Sequence, residues 1–142
     1  MKKKALFLSI FILFVVFFLI YINIFMVMDV FSKKDYVYTS LGVGDSMYPY
    51  ISNGDTIIVL TVDDPSFSVG VGDVVVYVRD DDLVVAHRIY DMSSSRFFVK
   101  GDNNLYPDSS SVGFSHIVGK VYGVIDGSNP LQRIVVEQFI SI

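Results

Sequence analysis

The sequence predicts a mostly β fold: a single antiparallel β-rich domain over residues 36–142, anchored by one N-terminal transmembrane helix over residues 5–28. Three observations predict it. Residues 5–28 contain no charged side chain. From Tyr36 onward, runs of β-branched and aromatic residues alternate with clusters of Gly, Asp, Asn and Ser, the pattern of short strands joined by turns. The whole chain is 52% hydrophobic with a mean hydropathy of +0.53, more apolar than a domain wholly in water.

The N-terminal run comes first. "ALFLSIFILFVVFFLIYINIFMVM" is interrupted only by Ser9, Tyr21 and Asn23. As a helix it would be about 36 Å long, enough to cross a hydrocarbon core of about 30 Å with some tilt. A cleaved secretory leader has a shorter apolar core and ends at small residues. The flank "DVFSKKD" offers no Ala-x-Ala pattern, so the run reads as a retained anchor. Its apolar residues form no stripe, which argues against a helix buried in a soluble core. Lys2, Lys3 and Lys4 form a basic tip over residues 1–4, whereas Lys33 and Lys34 are balanced by Asp29 and Asp35. The positive-inside rule therefore predicts a single-pass protein of the cell membrane, N-terminus cytoplasmic, with residues 29–35 as a stalk and the β domain on the extracytoplasmic side.

Within that domain, strands are expected at Tyr36–Val43, Thr56–Thr61, Val74–Arg79, Leu83–Tyr90, Arg96–Lys100 and Ile117–Ile125. "RDDD" (79–82) reads as a hairpin turn. "NGD" (53–55) and "VGD" (71–73) each place a glycine before an incoming strand, where a positive φ is commonly needed. The tail "LQRIVVEQFISI" reads as a final strand or a short interfacial segment. About 107 residues suffice for one modest core.

Charge and cysteine content exclude several functions. Eight basic and fifteen acidic residues follow position 4, a net of −7, which disfavours a nucleic-acid partner. With no cysteine there is no disulfide, thiol nucleophile or Cys-ligated zinc. No cofactor or metal is expected.

Ser46 lies in "GDSMYPY" (44–50), and its neighbours are also those of an ordinary turn. A serine hydroxyl attacks a carbonyl well only when a base takes its proton, commonly an imidazole oriented by a carboxylate. His87 sits in an apolar strand and shares a face with Val85 and Ile89, so it is either a core histidine or a base. His116, beside Ser115, reads as a surface residue. Asp80, Asp81 and Asp82 read as a solvated turn. Asp102 and Asp108 flank "NNLYP", as turn residues or as site carboxylates.

The ordered motifs are Ser46-Met47-Tyr48-Pro49, Gly54-Asp55 before an apolar strand, Gly72-Asp73-Val74-Val75, His87-Arg88, Lys100-Gly101-Asp102-Asn103-Asn104 with Asp108 six residues past Asp102, and Gly119-Lys120-Val121. Together they resemble the type I signal peptidases, membrane-bound serine proteases that remove signal peptides from exported proteins. The likeness is to the archaeal and endoplasmic-reticulum branch, whose base is a histidine rather than a lysine. The resemblance implies Ser46 as nucleophile, His87 as general base and then acid, Asp108 as the carboxylate orienting His87, and Asp102 as a second important acid that either supports the loop or assists the histidine. Met47 and Pro49 would shape the turn. It further implies preproteins as substrates cut after small residues, Val43 and the strand near Val84 as pocket walls, membrane lipid as surroundings, and the protein-export channel as an associate. The chain departs from the family in having Gly44-Asp45 where Ser-Gly usually precedes the nucleophile, which removes a hydroxyl from the oxyanion site. Two other readings remain. One is the related self-cleaving repressor and mutagenesis-protein group, whose box can also read Gly-Asp-Ser-Met but whose base is lysine. The other is a catalytically silent, membrane-tethered accessory module.

Overall fold

A computed structural model describes residues 9–22 and 34–129. The chain divides into two compact units, Met1–Ser32 and Lys33–Ile142. In the first, residues 9–22 form an α-helix whose large apolar side chains from Ile10 to Ile22 are all exposed. Among the described residues, no helix is long and apolar enough to cross a membrane. The 14 helical residues span roughly 21 Å, short of the length expected for residues 5–28. The remainder of that run, most of the stalk and the tail after Asn129 lie outside the described residues.

The second unit is one seven-stranded sheet: β1 (Val37–Leu41), β2 (Thr56–Thr61), β3 (Val74–Val78), β4 (Val84–Met92), β5 (Arg96–Lys100), β6 (Val112–Gly113) and β7 (Ile117–Ile125). Its spatial order is β1-β2-β7-β3-β4-β5-β6, and every pairing is antiparallel. The six expected strands are present. β1 is shorter at both ends because residues 34–36 form a 3-10 turn and Gly42 leaves the ladder, its N–H donating to the Asp55 carbonyl at 2.7 Å. β4 continues to Met92, past an irregularity between Ile89 and Asp91. β6 was not expected: two residues at the end of a serine loop carry no alternation signal.

The Gly-Asp steps are local devices that start strands. Gly54 and Gly72 have φ of +94° and +99°, the left-handed conformation that favours glycine. The following carboxylates satisfy the turn. Asp55 accepts the backbone N–H of Ser52 at 2.7 Å and of Gly127 at 2.9 Å, and Asp73 accepts that of Gly70 at 3.0 Å. In the expected hairpin, Arg79 forks onto Asp81 at 2.8 and 2.5 Å. That hydrogen-bonded pair holds the Asp81 carboxyl down to about 2.

Strand β3, "VVVYV", is buried on both faces. Val74 and Val76 join Met47, Ile51, Ile57, Val59 and Val121 on one side, while Val75 and Tyr77 join Ile89, Phe97, Val99, Val112 and Ile117 on the other. A continuous apolar run rather than alternation is what a doubly covered strand requires. The first cluster reaches outside the sheet, because Met47 and Ile51 belong to the turn that carries Ser46. Burying these two side chains contributes about 1.5–3 kcal/mol each and nails the turn to the sheet.

Gly119 marks the tightest approach in the sheet. A Cβ there would lie 2.3 Å from the Leu60 carbonyl oxygen and 2.7 Å from Val59 Cγ1, whereas one at Gly123 would meet Ile58 Cδ1 at an ordinary 3.4 Å. Gly119→Ala is expected to destabilise the domain by about 3 kcal/mol through overpacking, and Gly123→Ala to change stability little. Chemical denaturation of the two variants side by side checks the contrast.

Candidate active site

Ser46, His87 and Asp108 come from three separate elements and meet beside β4. Ser46 sits in the turn after β1, entered through Gly44 at φ +89°. His87 projects from β4, and Asp108 follows β5, its N–H bonded to the Val99 carbonyl at 3.0 Å. His87 Nε2 lies 3.2 Å from Ser46 Oγ, and His87 Nδ1 lies 2.9 Å from the Asp108 carboxylate. His87 is buried, with 6% of its surface exposed, and its ring and the Tyr77 ring are tilted with centroids 6.3 Å apart. Tyr77 donates its hydroxyl to the same carboxylate, Asp108 Oδ2. Burial first, and then this hydrogen bond, push the Tyr77 phenol well above its ordinary range.

This arrangement can activate a hydroxyl. An imidazole with its Nδ1–H held by a carboxylate presents Nε2 as an acceptor, and Ser46 Oγ is the group in front of it.

Asp102 has a different place. Its carboxylate receives Arg88 Nε at 2.9 Å and Arg88 Nη2 at 2.7 Å. Arg88 Nη1 also donates to the Gly72 carbonyl at 2.7 Å, and the guanidinium lies 4.8 Å from the centre of the Tyr50 ring. Of the two roles expected of Asp102, supporting the loop or assisting the histidine, these contacts fit the first. Neighbouring residues on a strand point to opposite faces, so the acid that grips Arg88 is turned away from His87. The pair ties the turn before β3, the loop after β5 and the Ser46 turn together.

The Gly101–Asn104 stretch then acts as a clamp on the turn that carries Ser46. Asn103 N–H donates to the Ser46 carbonyl at 2.8 Å, and Asn103 Nδ2 to the Asp45 carbonyl at 3.1 Å. Gly101 makes the approach feasible: a Cβ there would lie 2.6 Å from the Ser46 carbonyl oxygen and 2.7 Å from Asn104 Nδ2. Met47, expected to shape the turn, does so by burial. His116 is exposed and contacts Ser115, as expected of a surface residue. Sequence reasoning missed Tyr77 and Asn103. A tyrosine in a buried strand looks like core, and only its hydroxyl hinted at a polar partner.

A cleft of about 480 Å³ opens beside Ser46 and His87, walled by Leu41 and Val43 on one side and Val84 and Ala86 on the other, with Asn104 at its edge. Among the described residues, both walls present main-chain groups without a strand partner. Arg79 N–H donates to Leu83 O, so residues 83, 85 and 87 bond toward β3, while Val84 and Ala86 face outward ahead of the β5 pairing that begins at Arg88. By the same alternation, Gly42 bonds toward β2 and Leu41 faces outward. Among the described residues, no cluster of His, Cys, Asp and Glu could hold a metal ion.

The family model described as Peptidase S24-like matches residues 21–122, which span all three site residues. No curated protein matches the chain.

Gly101→Ala would force the loop away from the Ser46 carbonyl and displace the Ser46 hydroxyl from His87. Acylation of Ser46 by an activated ester is expected to slow on the order of 100-fold, the cost of misplacing a reacting group by about an ångström. Stopped-flow measurement of the acylation step checks it.

Proposed function

The chain belongs to the Peptidase S24-like family of serine peptidases, and from that premise we propose that it is a membrane-anchored signal peptidase. In this reading it cuts exported preproteins after small residues. The observation that carries the reading is the continuous Ser46–His87–Asp108 hydrogen-bond line at the edge of a cleft with apolar walls.

In the proposed mechanism, Ser46 Oγ attacks the scissile carbonyl as its proton passes to His87 Nε2, and Asp108 holds the Nδ1–H and supports the imidazolium. His87 then gives that proton to the leaving amine, which departs and leaves an acyl-enzyme. A water, deprotonated by the same nitrogen, attacks the acyl carbon and releases Ser46. Gly44 offers no hydroxyl to the oxyanion. The donors in this reading are the Ser46 N–H and the Asn104 carboxamide, which lines the cleft and makes no side-chain hydrogen bond among the described residues.

The substrate would enter as an extended strand between the outward-facing main chain of Leu41 and that of Val84 and Ala86. Alternate side chains would then meet the narrow apolar space between these walls, which supports a preference for small residues. The anchor, residues 5–28, would hold the site at the membrane surface where a preprotein's own apolar helix emerges. The exposed apolar side chains of residues 10–22 and the Lys2–Lys4 tip support this placement, with the N-terminus cytoplasmic. Membrane lipid and the export channel would be its surroundings.

A second reading has the family match in its favour: a self-cleaving peptidase that cuts its own chain. Its histidine base and long apolar N-terminal run weigh against it. Incubation of the purified protein alone would reveal a new terminus at a rate independent of concentration.

Two outcomes are expected. The intact protein in detergent micelles should cleave a preprotein at one site; Ser46→Ala should abolish cleavage, and Asp108→Asn should lower kcat on the order of 10³–10⁴-fold. Cleavage that persists in Ser46→Ala overturns the mechanism, and none by the folded intact protein points to a silent accessory module. Deleting residues 1–28 should weaken cleavage of membrane-inserted preproteins far more than that of a short soluble peptide. Equal losses on both substrates would remove the anchor from the mechanism.

A further inference from the structure

Tyr77 is the fourth of the five residues of the apolar strand β3 and is 2% exposed. A phenylalanine would fill the same space without a hydroxyl to desolvate, and burying a hydroxyl costs free energy unless it is hydrogen-bonded. The partner it finds is not in its own sheet neighbourhood. It is the carboxylate of Asp108, 31 residues further on, and the same Oδ2 accepts His87 Nδ1–H at 2.9 Å. The Asp108 side chain is itself 16% exposed, so little water reaches it and the protein must supply its donors.

We propose that Tyr77 is a positioning residue for the His87–Asp108 pair: its hydroxyl holds the carboxylate against the imidazole and takes up part of the negative charge that His87 would otherwise face alone. This rests on the peptidase reading above and adds a fourth group to it. Two donors on one carboxylate oxygen restrict its rotation more than one does, so Nδ1 stays in line and Nε2 stays aimed at Ser46. The phenol suits the task because burial and its carboxylate partner keep it protonated at any pH where an imidazole titrates. It therefore donates throughout the cycle, while His87 alternates between neutral and charged.

The neighbouring charges are otherwise committed. Arg79, which lines the cleft, forks onto Asp81. Arg88 is held by Asp102, and Lys120 on β7 binds the Ser68 carbonyl at 2.7 Å and Asp73 at 3.5 Å. Asp45 in the nucleophile turn is exposed. Asp108 is thus the charge in contact with the His87 ring among the described residues.

Removing the hydroxyl leaves the carboxylate's charge to the imidazole, which favours the imidazolium. In Tyr77→Phe the His87 titration midpoint should move upward by about 0.5–1 pH unit. The acid limb of kcat/KM should move with it, and kcat should fall about 10-fold at unchanged KM. The chain has only two histidines, so ¹⁵N-detected histidine NMR of the full-length protein in detergent micelles, with His116→Gln for assignment, reads the midpoint without any substrate. In an Asp108→Asn background, Tyr77→Phe should move nothing further, because its effect passes through that carboxylate. A midpoint that stays in place or falls in Tyr77→Phe, or an equal shift in the Asp108→Asn background, overturns the proposal. The NMR outcome stands whether or not the wild type cleaves a preprotein, so it fails or holds separately from the peptidase reading.

Discussion

The site depends on how an irregular turn is held against a sheet. Ser46 belongs to no strand or helix, so no repeating hydrogen-bond ladder fixes its position. Two unlike constraints do so instead. From one side, Met47 and Ile51 are buried with Val59, Val74, Val76 and Val121, so the turn cannot lift without exposing apolar surface. From the other, the Asn103 N–H and carboxamide take the carbonyls of Ser46 and Asp45. That second contact exists only because residue 101 has no side chain, since the Ser46 carbonyl occupies the space a Cβ would need. The hydrophobic contact is strong and undirected, while the hydrogen bonds are weaker and directional. Together they place an oxygen within 3.2 Å of a ring nitrogen on a different element.

Strand β4 shows how alternation divides labour between adjacent residues. His87 faces Asp108 and Tyr77, and Arg88, one position on, faces Asp102 and Tyr50. One acid meets the imidazole and the other the guanidinium because of a rotation of about 180° between neighbouring side chains. Among the described residues, the same geometry leaves the main chain of Val84 and Ala86 unpaired on the cleft side, because β5 begins to pair only at Arg88. An incomplete sheet edge is a ready template for an extended peptide. The edge is short, which limits the risk of unwanted strand pairing.

Some features of this protein were determined by sequence over short range. The six longer strands, the Arg79–Asp82 turn and the positive φ of Gly54 and Gly72 each follow from a few adjacent residues, because propensity, turn chemistry and the steric permissiveness of glycine act locally. The motif order also brought Ser46, His87 and Asp108 forward together. Apart from the family resemblance, which pointed to Asp108, the residues themselves could not distinguish Asp108 from Asp102, since both lie in one loop with similar neighbours. Which carboxylate meets the imidazole depends on the face from which that loop crosses β4, a property of strand register and loop path that no local pattern encodes. Tyr77 was hidden for a related reason: within "VVVYV" its ring is what a buried strand calls for, and its hydroxyl acquires meaning only when a distant loop brings a carboxylate to it. The clamp by Gly101 and Asn103, the two-sided burial of β3 and the pairing of β6 were likewise decided in tertiary structure, because each is a contact between segments that the chain itself keeps far apart.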